Sequence, residues 1–163
     1  MNGNQDDVKL MHLEGVRIEL SSQKPIVLLR EEKGNRYLPI WIGVFEATAI
    51  ALEMAGVKTP RPMTHDLISS IFKKMGIVAH KIVVDGLIDN TFYATILLEH
   101  RGRKYQISSR PSDAIAIAVR EKTPIFVSET VLEAASIVIQ SLEEEVQKFR
   151  DFLNSVEPED FNK

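Results

Sequence analysis

The stretches Arg61–Phe72 (RPMTHDLISSIF) and Ser109–Val119 (SRPSDAIAIAV) repeat one small design. In each, an Arg precedes a Pro, a hydroxyl residue and an Asp follow, and an apolar-periodic run begins. Proline suits the first position of a helix, and hydroxyl and acidic side chains favour its first turn. Both Arg-Pro segments therefore predict a helix start. An Arg beside a helix N-terminus also makes an anion site of phosphate size.

Outward from these segments, the pattern predicts hairpins and clustered helices. Strands are predicted at Val8–Leu20 with a kink at Gly15, and at Pro25–Arg30, Tyr37–Ile42, Ile77–Val84, Thr91–Glu99, Lys104–Ser108 and Ile125–Val127. Turn signals lie at Gly34-Asn35, Asp85-Gly86 and Asp89-Asn90, and helices are predicted at Gly43–Ala55, after each Arg-Pro segment, and from Ser128 to Pro158. Because strands and helices do not alternate strictly, the fold class is α+β, with a mixed, mainly antiparallel sheet.

The length of 163 residues predicts a single domain, 1–163, with a core at about 8–128 and a C-terminal helical tail at about 129–156. Two of the predicted helices are rich in alanine, at Gly43–Ala55 and after Arg110, and both are apolar nearly all round. That composition is typical of buried helices. We expect them to pack on each other in the core, with a homodimer interface as the alternative.

Composition narrows the function classes. The absence of cysteine excludes disulfides, a thiol nucleophile and a thiolate metal site. An acidic, polar start and the lack of a long apolar run predict a cytoplasmic protein that does not insert into a membrane. The net charge of −3 disfavours a general nucleic-acid coat, but residues 58–122 carry 11 basic and 6 acidic side chains. A local phosphate-binding face is therefore compatible with an acidic protein.

Three residues of the Arg-Pro segments are candidate catalytic groups. His65 could act as general base or acid, because a free imidazole titrates near neutral pH. Asp66 and Asp113 occupy matching places and would hold Mg²⁺ or Mn²⁺ if the two helix starts face each other, with Glu46 and Glu53 as further ligands. The alternatives are a capping or surface histidine, and aspartates that cap helices or pair with Arg110 and Arg61.

The remaining candidate residues would bind the substrate and take no part in the chemical step. Arg61 and Arg110 would clamp a phosphodiester and stabilise charge on it, with Thr64 and Ser112 as nearby hydrogen-bond donors. Four aromatic residues offer stacking surfaces for bases, although core packing is the commoner role for aromatics in strands: Tyr37, Trp41, Phe92 and Tyr105.

The chain resembles the bifunctional nuclease domain family over about residues 8–161. The likeness is carried by Leu38–Gly43 (LPIWIG), Glu46-Ala47, Ile50-Ala51, Arg61–Leu67, Ser109–Ala116, Phe149–Leu153 and Pro158–Phe161. The resemblance is to bacterial single-domain members. It implies an α+β domain and a nuclease activity on both DNA and RNA, with nucleic acid as the substrate.

We therefore expect a nuclease that hydrolyses phosphodiester bonds, assisted by a divalent metal. The catalytic set is His65, Asp66 and Asp113, the two aspartates are also the candidate metal ligands, and the arginines bind phosphate. The alternative is a non-catalytic regulatory domain that binds an anion, a nucleotide or a partner protein through the same arginines.

Overall fold

The computed structural model describes residues 7–140, 144, 146–148, 150 and 151. The strands are β1 (Val8–Ile18), β2 (Pro25–Glu31), β3 (Arg36–Trp41), β4 (Ile77–Ile88), β5 (Thr91–His100), β6 (Arg103–Ser109), β7 (Ile125–Ser128) and β8 (Ile137–Val138). The helices whose two ends are described are α1 (Val44–Met54), α2 (Thr64–Met75), α3 (Pro111–Glu121) and α4 (Glu129–Ala135). Residues 144, 146–148, 150 and 151 are also helical.

The strands form one mixed sheet in the described part of the chain, in the order β6-β5-β4-β7-β1-β2-β3-β8. Strands β4 and β7 pair in parallel, and the other neighbours pair antiparallel. Four hairpins build most of the sheet, and β7 returns from the far end of α3 to join β4 to β1. The predicted α+β class and mainly antiparallel sheet are confirmed.

Helix α3 lies at the centre of the helical layer. It packs against α1 on one side and α2 on the other, and it covers β4 and β5. Its alanines and isoleucines from 114 to 118 are at most 4% exposed, so the backbones of the neighbouring helices can approach closely. The first turns of α1, α2 and α3 consequently meet at one end of this layer, which positions the site described below.

Local sequence signals predicted most element boundaries. Strand β1 bends at the predicted position, because its register with β2 shifts between Leu13 and Gly15. Helix α2 ends at Met75, and its C-cap Gly76 has the left-handed φ of 67° that is typical of a glycine helix stop. Pro39 lies on the part of β3 that β8 does not cover, as an edge position requires. No helix in the described ranges is long and apolar enough to cross a bilayer.

Two local predictions are wrong. Helix α2 begins at Thr64, so Pro62 precedes the helix, whereas Pro111 does occupy the first turn of α3. Asp85 and Gly86 are not a turn: β4 continues through them with a bulge, and the chain turns at Asp89-Asn90 instead.

The other differences concern α1 and the tail. Helix α1 buries Ala47, Ala49 and Ile50 but leaves Val44 and Phe45 exposed, so only α3 is buried nearly all round. The predicted continuous helix after Ser128 is interrupted, because Ile137–Val138 pairs with β3 as β8. The prediction for much of 141–158, including the family-like tail, lies outside the described residues. A single domain stays a prediction.

Candidate active site

Three helix N-termini converge on one pocket. A cavity of about 240 Å³ is lined by first-turn residues of α1, α2 and α3 and their neighbours: Phe45, Glu46, Ala49, Met63, Thr64, His65, Arg110 and Asp113. The two Arg-Pro segments therefore lie side by side, and α1 adds a third helix start that the sequence pattern did not reveal. Each helix N-terminus carries about half a positive elementary charge and unpaired backbone N–H groups.

The three helices that begin at this pocket have no Ser, Thr, Asp or Asn at the N-cap position. Their N-cap residues are Gly43, Met63 and Arg110. Helix α2 has a capping box instead, in which Asp66 accepts the backbone N–H of Met63. Helix α4 differs from all three, because the hydroxyl of Ser128 accepts from the backbone N–H of Val131. An N-cap side chain normally satisfies first-turn N–H groups, and its absence at α1 and α3 leaves backbone donors available to an anion.

His65 and Asp113 join the two Arg-Pro segments directly. The Nε2 atom of His65 lies 2.9 Å from Oδ1 of Asp113, and the His65 side chain is only 8% exposed. Arg110 donates through Nε to the other carboxylate oxygen of Asp113 at 2.7 Å. Asp113 thus holds the imidazole on one oxygen and the guanidinium on the other.

Asp113 is negatively charged at neutral pH. Burial tends to raise its pKa, but hydrogen bonds from Arg110 and His65 outweigh burial and hold the pKa below its ordinary value of 3.8. An ionised carboxylate only accepts hydrogen bonds, so the proton between the two side chains belongs to Nε2 of His65. In the neutral imidazole the other ring nitrogen, Nδ1, carries a lone pair, and this atom is not sealed from solvent.

Arg110 also reaches α1. Its Nη2 atom donates to Oε1 of Glu46 at 2.7 Å, and the two carboxylates raise the pKa of Arg110 further above its ordinary value. No contact within the described part of the chain uses Nη1, and the Arg110 side chain is 65% exposed. The Arg110 guanidinium and the carboxylates of Asp113 and Glu46 sum to a formal charge of −1. The three helix N-termini together contribute about +1.5, which exceeds that negative charge. The pocket can therefore accept an anion.

Asp66 faces away from this cluster. It accepts the backbone N–H of Met63 at 3.0 Å, as a helix cap, and Arg120 donates to its other oxygen at 2.6 Å. The hydrogen bond from Arg120 lowers the pKa of Asp66, with the Met63 N–H adding to the effect. Of the alternatives raised by the sequence, capping and ion pairing therefore describe Asp66, although its arginine is Arg120 and not Arg110.

Sequence reasoning missed Arg120. This side chain is 6% exposed, and it also donates to the carbonyls of Ala116 and Ala49, so it ties α3 to both α1 and α2. The available signal was one arginine following the apolar run of α3. The other residues predicted to bind phosphate do not lie together. Thr64 lines the pocket, whereas Ser112 is buried and lines a neighbouring pocket beside Arg110. Arg61 is exposed and lines neither pocket.

The predicted metal ligands do not share one site. Asp66 pairs with Arg120 and Asp113 with Arg110, while Glu46 joins Asp113 only through Arg110. Within residues 7–140 and the short described parts of the tail, no three His, Asp or Glu side chains are grouped to hold a metal ion. As arranged, each of these three carboxylates is bonded to a guanidinium group, and the set does not fit a divalent cation.

Known proteins resemble this chain over the whole site. The profile of the family described as "Bifunctional nuclease domain" matches residues 27–140, which include every residue of the pocket. An uncharacterized protein of Mycobacterium tuberculosis is 45% identical over 157 residues, covering 90% of this chain and 94% of the relative. "Bifunctional nuclease 2" of Oryza sativa subsp. japonica is 30% identical over 134 residues, 80% of this chain and 41% of the relative. "Bifunctional nuclease 2" of Arabidopsis thaliana is 32% identical over 106 residues, 63% of this chain and 32% of the relative.

Proposed function

Since this chain belongs to the bifunctional nuclease domain family, we propose that the protein is a nuclease that hydrolyses phosphodiester bonds of DNA and RNA in the pocket at the three helix starts. The observation that carries the proposal is the part-buried His65–Asp113 pair at the convergence of three helix N-termini. A base beside an anion site is the arrangement that phosphodiester hydrolysis needs.

The phosphate binds first to the helix ends. Backbone N–H groups of the first turns of α2 and α3 donate to its oxygens, and Nη1 of Arg110 adds a charged donor. These donors are fixed by the fold, so they need no reorganisation when negative charge grows on the phosphoryl group. Because Arg110 also binds Glu46 and Asp113, it binds the phosphate of the substrate only moderately. The donors mainly stabilise the negative charge that develops in the transition state.

His65 acts as the general base. Asp113 accepts the Nε2 proton, so Nδ1 is free to take a proton from a water molecule as the water oxygen bonds to phosphorus. The bond from phosphorus to the leaving oxygen then breaks, and the imidazolium returns its proton to that oxygen. A water nucleophile is required for a substrate range that includes DNA, because DNA lacks a 2′-hydroxyl.

Assistance by Mg²⁺ or Mn²⁺ remains a prediction. The donor set described above does not fit a metal, so no step of the proposal passes through one. Cleavage assays with each ion and with a chelator test this part separately.

The decisive variants replace two histidines, each of which pairs with a carboxylate. His80 lies 2.8 Å from Glu99 on the exposed surface of β4 and β5, which makes it a matched control for His65 and Asp113. We expect His65→Asn to lower kcat on single-stranded DNA and RNA by about 10²- to 10⁴-fold, the contribution typical of a general base. His80→Asn leaves kcat unchanged. Equal activity of the two variants, or no cleavage by the wild-type protein with any ion, contradicts the proposal.

One observation favours a second function. Arg110 is held by two carboxylates, as it would be if its role were to tie α1 to α3 in a domain that only binds its ligand. Such a regulatory domain would bind an oligonucleotide or a nucleotide without turnover, and salt would weaken the binding. Binding with no product after long incubation distinguishes this function from the nuclease.

A further inference from the structure

A second pocket adjoins the candidate active site on the other side of Arg110. It has a volume of about 350 Å³ and is lined by residues of the β3–α1 junction, the β4–β5 turn and the start of α3, among them Trp41, Asn90, Thr91, Phe92, Arg110 and Ser112. Its volume lies within the range of about 300–1,000 Å³ typical of small-ligand sites. Arg110 lines both pockets, so a ligand can place an anionic group on one side of the guanidinium and another group on the other.

The wall of this second pocket is aromatic. Trp41 is 56% exposed, although tryptophan is usually well buried, and it is the only tryptophan in the chain. Phe92 is partly buried and packed against the core, so its ring is held in place. Of the four aromatic residues considered as stacking surfaces, these two lie beside Arg110. Tyr105 lines a different pocket with Lys104.

Polar groups are placed around the aromatic wall. Asp89 and Asn90 both have left-handed backbone conformations, with φ of 49° and 60°, which fixes the tight turn between β4 and β5. This turn puts Asn90 and Thr91 on the pocket lining, and Ser112 contributes a hydroxyl from α3. An amide and hydroxyls beside an aromatic wall suit a flat, polar-edged ring.

We propose that this second pocket binds one unpaired base of the nucleic-acid strand, stacked on Trp41 and Phe92, while the adjoining phosphate lies at Arg110. The inference rests on the proposed function for the phosphate site. A base has both the π-face that stacks on aromatic rings and the polar edge that an amide recognises. A base paired within a duplex cannot enter the pocket without leaving its stack, so single strands are the preferred substrates.

The single tryptophan gives a direct readout. The protein is titrated with a short phosphorothioate single strand, which resists hydrolysis, and with an abasic strand of equal length and charge. We expect the strand with bases to change Trp41 fluorescence and the abasic strand to leave it unchanged. Equal responses to both strands, or no response to either, overturn the base pocket.

Variants give a second measurement, by fluorescence anisotropy of the labelled strands. Trp41→Ala weakens binding of the strand with bases by about 5- to 150-fold, the range expected for one stacked base, without affecting the abasic strand. Trp41→Phe keeps a stacking ring and retains most of the affinity. Tyr105→Ala, an exposed aromatic outside the pocket, is the control and changes neither. Unchanged affinity in Trp41→Ala contradicts the inference.

The two proposals fail separately. Cleavage by the wild-type protein together with unchanged affinity in Trp41→Ala removes the base pocket and leaves the nuclease. A base-dependent fluorescence change with no cleavage under any condition removes the nuclease and leaves a nucleic-acid-binding pocket.

Discussion

At the scale of single residues, the proposed mechanism depends on Asp113, whose two carboxylate oxygens bind His65 and Arg110. The two Arg-Pro segments were enough to nominate His65, Asp113 and Arg110, because residues at helix starts are constrained by local geometry. The pattern could not separate Asp113 from Asp66, which occupies the matching position of α2. Their difference comes from Arg120, 54 residues further along the chain than Asp66, and no local signal encodes that contact.

Asp113→Asn tests the assigned tautomer. An asparagine amide can present an N–H group to Nε2, which would place the imidazole proton on Nδ1 and remove the base from the pocket. We expect kcat to fall by about 10²- to 10⁴-fold with little change in KM, as loss of correctly oriented base catalysis predicts. Steady-state kinetics and circular dichroism check this together. Wild-type kcat in a folded variant would show that Asp113 does not orient the base.

At the scale of elements, α3 organises the site. Its small side chains admit α1 and α2, its first turn supplies Arg110 and Asp113, and its last turn supplies Arg120. The apolar alanine pattern predicted a buried helix for α3, correctly. For α1 the same pattern gave a wrong result, because alanine is compatible with either environment and only tertiary contacts decide which face is covered.

Arg120→Met tests the tie between the three helices. Methionine fills a similar volume but leaves the carboxylate of Asp66 without its charged partner in a part-buried place. We expect a loss of about 1–3 kcal/mol in the free energy of unfolding, the cost of an unsatisfied polar group. Urea denaturation measures it. Arg103→Met on the exposed edge strand β6 is the control, with a change within about 0.5 kcal/mol. Equal losses in the free energy of unfolding of the two variants would show that Arg120 does not hold the three helices together.

At the scale of the whole molecule, hairpin signals and clustered helices were enough to predict the fold class, but not the strand order. Strand β7 lies between β4 and β1 because of pairing between residues more than 100 positions apart, such as Val8 and Ser128. Two-residue β8 carries no detectable period. A homodimer stays a prediction, for which light scattering is the measurement, and the exposed Val44 and Phe45 of α1 are the apolar surface to examine first.

The stability of the protein at low pH tests an ion cluster that joins strands β2 and β3 to helix α4. Arg36 binds Glu31 at 2.7 and 2.9 Å and Glu129 at 2.6 Å, tying β2, β3 and α4 together. Hydrogen bonds from Arg36 lower the pKa of both glutamates below the ordinary value of 4.5. A carboxylate with a lowered pKa stabilises the fold above its ordinary pKa and loses that contribution as pH falls through the folded value.

We therefore expect the urea midpoint to hold steady near neutral pH and to fall as pH drops below about 4.5. Glu129→Gln lowers the midpoint at pH 7 and flattens its decline in acid, because the variant has one carboxylate fewer to protonate. A decline as steep as in the wild-type protein would assign the acid sensitivity to other groups.

The most direct test of the central claim is an amide NMR titration with inorganic phosphate. If the starts of α1, α2 and α3 form one anion site, the backbone N–H signals of Phe45, His65 and Ser112 shift together with a single dissociation constant. The N–H of Val131, capped by Ser128 in α4, stays unchanged. Shifts of Val131 equal to those of the three helix starts, or shifts confined to other surfaces, would contradict the account.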